Sequence, residues 1–260
     1  MRPLSFPGPT RLLAAGALAA ALLGAVAGEA VAQTRDRTPR HTFFIGLDTS
    51  GSFQRTGYGD AVAFLAYYIY GHLNGLGGLA VPRDLFVAAV GGKDSNEPKA
   101  FRPIHDFAGK SIVQIEADLR AWFPPTDTLT DFNAFFRRVA GIVKERNLLL
   151  RPVSVMVVTD GVPDVAGVPA GSADAYRQID LDPLEYLARS VTVRVAYASP
   201  AVGERWRTQV PRQRVRLWTV DHEVMKGWRA QVTPDVDPGG QGRLWKWMRE
   251  NVDFRVRRGT

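Results

Sequence analysis

The chain has 260 residues, no cysteine, 45% hydrophobic residues and a formal charge of +7 at neutral pH. Such a composition is globular rather than disordered, and the length suits one domain with additions. The lack of cysteine excludes a disulfide framework and thiolate metal sites, so the fold must rest on its apolar core. In chain order, Arg2 and Arg11 precede an apolar run from Leu12 to Ala27, and Ala30-Val31-Ala32 offers a small-x-small cleavage pattern. Residues 1–32 therefore read as a signal peptide, with a mature chain beginning near Gln33 and residues 33–40 as a linker. The unpaired arginines fit general secretion to the periplasm or the exterior. Retention as an uncleaved anchor is the alternative, although the run of 16 residues falls short of the ~20 of a spanning helix.

Past the linker, apolar strand-like runs alternate with helical patterns, the signature of a parallel sheet covered on both faces. Phe43 to Leu47 reads as a buried strand, and Gly57 to Leu73 places Ala61, Phe64, Leu65, Tyr68, Ile69 and Leu73 at helical spacing. Strands are expected at 84–90 and, as an edge, at 102–107. Helices are expected at 110–122 and, after the break at Pro124-Pro125, at 131–146. A strand over 153–159 leads into a Gly/Pro-rich loop to about 180, followed by a helix at 183–189 and a strand at 191–198. Helical patterns at 201–209, 222–231 and 242–251 and a strand at 215–220 complete the chain. The fold class is α/β: a Rossmann-like, doubly wound, mostly parallel sheet.

Charge is uneven along this plan. Residues 194–260 hold 14 Lys and Arg against 7 Asp and Glu. Such a face reads first as solvated surface. Second comes a weak, salt-sensitive contact with an anionic membrane surface, through Arg243, Lys246, Arg249, Arg255, Arg257 and Arg258. Export argues against a nucleic-acid partner. Trp245 and Trp247 lie too close in one helix to share a face, so one of them is expected toward solvent.

Two strand ends carry the chemistry. The first strand runs into Asp48-Thr49-Ser50-Gly51-Ser52, and the strand over 153–159 runs into Asp160-Gly161. If the two strands are neighbours in a parallel sheet, Asp48, Ser50, Ser52 and Asp160 gather at the carboxyl edge, where open α/β sheets hold their ligands. Either motif alone is an ordinary turn. Their joint occurrence outlines a hard-cation site.

Asp48-Thr49-Ser50-Gly51-Ser52 resembles the Asp-x-Ser-x-Ser motif of the von Willebrand factor type A (VWA) domain. Val157-Val158-Thr159-Asp160-Gly161 resembles that family's later Thr-Asp-Gly motif. Between them, Thr130-Asp131-Phe132-Asn133-Ala134-Phe135-Phe136 resembles the family's Thr-led helix start. The resemblance covers residues 41–231, leaving 232–260 as a basic extension with a terminal helix. It implies a metal-ion-dependent adhesion site made of Asp48, Ser50, Ser52, Thr130 and Asp160, with a partner's acidic side chain filling the open position. The family's usual Gly-Gly before its Thr is missing; Pro124-Pro125-Thr126-Asp127-Thr128-Leu129-Thr130 stands there instead. Thr130 is the first choice because it lies one turn before Ala134 and suits a helix N-cap; Thr128 is the second.

Hydroxyls and two carboxylates, with no His or thiolate, suit Mg²⁺, and less often Mn²⁺ or Ca²⁺. Two carboxylates leave residual positive charge on a divalent ion, which would attract an Asp or Glu of a protein ligand. No catalysis is expected of the chain itself. It lacks the second Asp of an Asp-x-Asp phosphotransfer motif and a Gly-x-Ser-x-Gly elbow, and His41, His72, His105 and His222 are scattered. The alternatives are an accessory subunit for assembly of a periplasmic enzyme, or a metal-dependent hydrolase.

Overall fold

The computed structural model describes residues 41–149, 151–187 and 191–253. The expected signal peptide, the linker and Arg255, Arg257 and Arg258 lie outside the described residues. Strand β1 (Thr42–Leu47) is followed by the short helix α1 (Gly51–Thr56) and the long helix α2 (Tyr58–Leu73). Then come β2 (Asp84–Ala89), β3 (Gly91–Gly92), β4 (Arg102–Pro103), α3 (Ile112–Trp122), β5 (Leu129–Thr130) and α4 (Phe132–Glu145). The second half holds β6 (Val153–Val158), α5 (Ala173–Arg177), α6 (Asp182–Glu185), β7 (Val191–Ala198) and α7 (Pro200–Gln209). It ends with β8 (Arg216–Asp221), α8 (His222–Lys226) and α9 (Gly242–Asn251).

Six strands form one sheet in the order β4-β2-β1-β6-β7-β8. All pairs are parallel except β2 with β4. The fold is thus α/β and Rossmann-like. Side chains alternate across the sheet with the period of two that a strand imposes. Phe43, Ile45, Leu47, Leu85, Val87, Met156 and Val158 meet α2, α3 and α9 on one face. Phe44, Phe86, Val155, Val157, Val193 and Val195 meet α4 and α7 on the other. From β1 the chain winds outward to β2, and from β6 it winds the opposite way to β7 and β8. The reversal puts a crevice at the carboxyl ends of β1 and β6.

Several boundaries differ from the sequence pattern for local reasons. The edge strand expected over 102–107 stops at Pro103, which has no N–H to donate, and a 3₁₀ turn follows at Ile104–Asp106. Helix α3 begins at Ile112, where Ser111 and Gln114 form a reciprocal capping box. Thr130 is not the cap of α4: Asp131 is, accepting from the N–H of Ala134 at 2.9 Å, while Thr130 belongs to β5. The helical pattern at 222–231 resolves into α8 and a 3₁₀ turn at Arg229–Gln231.

Helix α9 docks on the α2 side of the molecule. Its Leu244, Trp245 and Met248 are buried in the core of that face, and Trp247 is half-buried. Gly77, at φ +58°, lies against Trp245, where an added Cβ would meet that residue's Cβ at 2.2 Å. Arg243, Lys246 and Arg249 are exposed along the helix, with Arg249 donating to the Gly77 carbonyl at 2.8 Å. Among the described residues no helix is long and apolar enough to cross a membrane.

Glu185 is 3% exposed, at the amino edge of the sheet. Its carboxylate accepts from the backbone N–H groups of Gln213 (2.7 Å), Arg214 (2.5 Å) and Val215 (3.0 Å), tying α6 to the entry of β8. Removing it strands three donors, and hydrogen bonds to a charged group are the strong ones. Glu185→Ala is expected to cost about 3 kcal/mol, lowering Tm by roughly 6–12 °C, with the far-ultraviolet circular dichroism of the folded state unchanged. A thermal melt beside the parent protein checks this.

Candidate functional site

The register of β1 against β6 pairs Leu47 with Val158, so Asp48 and Thr159 leave the sheet side by side. The N–H of Asp48 donates to Val158 at 2.9 Å, extending the ladder by one residue. The Asp48 carboxylate is then inside the protein, 0% exposed. Its Oδ1 accepts from the backbone N–H of Ser50 at 2.9 Å. Its Oδ2 accepts from the hydroxyls of Thr159 at 2.5 Å and Thr130 at 3.4 Å.

Ser50 is the N-cap residue of α1, yet its side chain makes no capping bond. Its hydroxyl instead lies 3.1 Å from that of Ser52. An N-cap serine ordinarily bonds to the first turn of its helix. This one is turned toward the carboxyl edge, next to Asp48.

Thr130 arrives from the other side on the two-residue ribbon formed by β3 and β5, where Gly91 pairs with Thr130. The Thr130 N–H donates to Asp164 Oδ2 at 2.8 Å, fixing the strand from which the hydroxyl projects. Thr128 faces elsewhere: its hydroxyl donates to the carbonyls of Lys93 at 3.1 Å and Gly92 at 3.4 Å. Of the two candidate threonines, Thr130 is the one that meets Asp48.

Asp160 follows β6 and folds back so that Oδ1 accepts from the N–H of Val162 at 3.0 Å. The turn requires glycine at 161, where φ is +79° and an added Cβ would meet Val202 at 2.9 Å and the Trp206 Nε1 at 3.0 Å. Trp206 Nε1 locks that turn by donating to the Gly161 carbonyl at 2.8 Å. Asp160 reaches the rest of the set through its charge, which acts on Asp48.

Asp48 has its pKa pushed up to about 6, chiefly by burial. Hydrogen bonds from Thr159 and Ser50 oppose the rise and the Asp160 charge adds to it; no cationic group contributes. A buried carboxylate with hydroxyl and amide donors but no Lys or Arg partner is chemically suited to a bound cation. Asp48, Ser50, Ser52, Thr130 and Asp160 could supply its oxygens. Among the described residues no group of three or more His, Asp or Glu is arranged to hold a metal, so any ion here would rest on hydroxyls as much as on carboxylates.

Three supporting residues escaped the sequence reading. Thr159 was overshadowed by the neighbouring Asp160, although its hydroxyl makes the shortest bond to Asp48. Asp127 sits among the competing threonines, accepts from the Thr49 hydroxyl at 2.5 Å, and exchanges backbone bonds with Thr49 and Gly51 at 3.1 and 3.2 Å. Asp164 lies in a Gly/Pro-rich loop with no pattern of its own. The Asp-Thr-Leu-Thr spacing was the one available hint of Asp127.

No protein-family model matches this chain, and no curated protein sequence matches it. Among solved structures it is similar to proximal thread matrix protein 1 of the mussel byssus, at 12% identity and TM-score 0.41 over 72% of this chain and 46% of that one. The pilus adhesin SpaC of Lactobacillus rhamnosus GG aligns at 10% identity and TM-score 0.48 over 74% of this chain and 29% of the adhesin. The VWA domain of SpRpn10 aligns at 7% identity and TM-score 0.40 over 78% of this chain and 93% of that domain. The chain thus matches less than half the length of the first two. Likeness at this level carries no argument about function.

The burial of Asp48 has a pH signature. Because the folded protein holds the Asp48 proton more tightly than the unfolded chain, whose value is near 3.8, this group's contribution to stability falls as pH rises from about 4 to about 6. With EDTA present, the stability of Asp48→Asn relative to the parent is expected to rise by about 2 kcal/mol between pH 4 and pH 7. Urea melts across that range check it. A difference that does not change with pH contradicts the assigned environment.

Proposed function

We propose that this chain is an exported VWA-type domain that binds a protein partner through a divalent cation, Mg²⁺ or otherwise Mn²⁺ or Ca²⁺, bridged to a partner carboxylate. The observation that carries the reading is the convergence of Asp48, Ser50, Ser52 and Thr130 at the switch point between β1 and β6, with Asp160 beside them. An all-oxygen donor set of this kind favours hard cations. Ser50, Ser52 and Thr130 would offer neutral hydroxyls, and Asp48 and Asp160 the negative charge. A bound cation would supply an electrophilic centre that attracts an acidic side chain.

The chain's own groups prepare that role. Thr159 and the Ser50 amide orient Asp48, Asp164 fixes the strand of Thr130, and Trp206 holds the turn of Asp160. Burial of Asp48 excludes water from one side of the set, which strengthens its attraction for a cation. We assign the chain no catalysis of its own. Export rests on the expected signal peptide, with the mature chain starting near Gln33.

In calorimetric titration, the mature protein is expected to take up one Mg²⁺ or Mn²⁺, and Asp48→Ala is expected to abolish uptake while retaining the fold. Unaltered affinity in that variant would overturn the assignment. Metal affinity should also fall as pH drops through about 6, because Asp48 must lose its proton to serve the ion.

The threonines give a separate expectation. Thr130→Ala should weaken metal uptake at least tenfold more than Thr128→Ala, since only the former hydroxyl faces Asp48. The opposite order would move the role to Thr128. Affinity capture of partners with Mg²⁺, compared with capture in EDTA, tests the binding role: recovery of the same proteins in both conditions contradicts a metal bridge.

A further inference from the structure

Beside the Asp48 set lies a cleft of about 590 Å³, within the size range of built ligand pockets. It opens between α1, the turn after β6, the end of β7 and the helices α7 and α8. Phe53, Val162, Tyr197 and Val202 line it, Thr56 and Lys226 stand at its rim, and Asp160 forms part of its wall. Asp160 therefore belongs both to the proposed cation site and to the cleft. A group attached next to a carboxylate at the first would enter the second.

One wall of the cleft is held in an unusual conformation. Tyr197 has φ +76°, in the left-handed region that aromatic residues avoid, and the β7–β8 register shifts at this point. The phenol donates to Asp60 Oδ2 at 2.7 Å, and Asp60 also accepts from Trp228 Nε1 at 2.9 Å and Arg229 Nε at 2.6 Å. The Tyr197 ring meets Phe53 edge-on, with centroids 6.0 Å apart. Strain of this kind persists only where surrounding contacts enforce it, and it concentrates at ligand-binding surfaces. The wall is thus set before a ligand arrives.

The charges around the cleft decide what fits. Asp60 is occupied by three donors, Lys226 and His222 both pair with Glu223, at 2.9 and 2.7 Å, and Asp160 adds a further carboxyl group. Among the described residues no cation lining the cleft lacks an acidic partner, so none is left to welcome a second acidic group, while Phe53, Val162, Tyr197 and Val202 give the cleft its apolar surface. We propose that the partner segment recognised here carries a bulky apolar residue directly beside its metal-bound Asp or Glu, and that this apolar side chain fills the cleft. The inference rests on the metal-bridge reading above and adds a sequence preference to it.

Two blocked tetrapeptides test it: acetyl-Gly-Asp-Leu-Gly-amide and acetyl-Gly-Asp-Ser-Gly-amide, titrated into the mature protein after saturation with Mn²⁺ has been measured. The leucine peptide is expected to bind about tenfold or more tightly than the serine peptide, as loss of a well-packed apolar group predicts. With diamagnetic Mg²⁺ in place of Mn²⁺, its binding should shift the methyl resonances of Val162 and Val202, which can be read on the unmodified protein. Thr56→Trp should reduce the preference to about twofold or less, because Thr56 is exposed, its hydroxyl bonds only to carbonyls of its own helix, and the larger ring would occupy the cleft mouth. Equal affinity of the two peptides, both lost in EDTA, would overturn the cleft assignment and leave the metal bridge standing. Failure of the protein to take up Mn²⁺, or binding of both peptides unaffected by EDTA, would instead overturn the metal bridge and this inference with it.

Discussion

The parallel pairing of β1 with β6 is the constraint on which everything at the carboxyl edge depends. It sets Leu47 opposite Val158, and the next residues on each strand, Asp48 and Thr159, then meet through a 2.5 Å hydrogen bond. A shift of one residue would point Asp48 to the other face, because side chains alternate along a strand. The register is held by apolar residues on both faces of the sheet, so the position of a buried carboxylate is decided by the packing of Phe43, Phe44, Ile45, Val155 and Val157. Hydrophobic burial here fixes the geometry of a polar site.

Around that pair, the polar groups do opposite jobs. Asp127 with Thr49, and Asp164 with Thr130, staple loops to the sheet edge and leave the upper oxygens oriented. Ser50 and Ser52 form no such staple. The Ser50 hydroxyl is released from its usual capping duty, which costs α1 a modest stabilising bond. Helix α1 is instead secured by Phe53, buried against Tyr197, so that packing replaces the missing cap. The same aromatic contact forms the wall of the neighbouring cleft.

Stability and site chemistry are placed at opposite ends of the sheet. Glu185 consolidates the amino edge by satisfying three backbone donors, and α9 closes the α2 face through Trp245 against Gly77. The carboxyl edge keeps a carboxylate whose burial raises its pKa and a tyrosine in a disfavoured backbone conformation. A fold can carry such local strain when the rest of its core is well packed.

The sequence by itself determined the α/β alternation, because runs such as Phe43 to Leu47 and Val153 to Val158 are apolar on both faces and only a doubly covered parallel sheet buries them so. It also located Asp48, Ser50, Ser52 and Asp160, since residues just past a strand must emerge at its carboxyl end. It did not separate Thr130 from Thr128 by any local rule: the capping argument offered for Thr130 belongs to Asp131, and the distinction comes from pairing of β5 with the distant β3. Thr159, Asp127 and Asp164 acquired their roles from partners 111, 78 and 34 residues away in the chain, a separation over which periodicity carries no information. The cleft beside Asp160 and the strained Tyr197 were likewise decided by tertiary packing alone, because Asp60, Trp228 and Arg229 meet only once the strands and helices between them have been assembled.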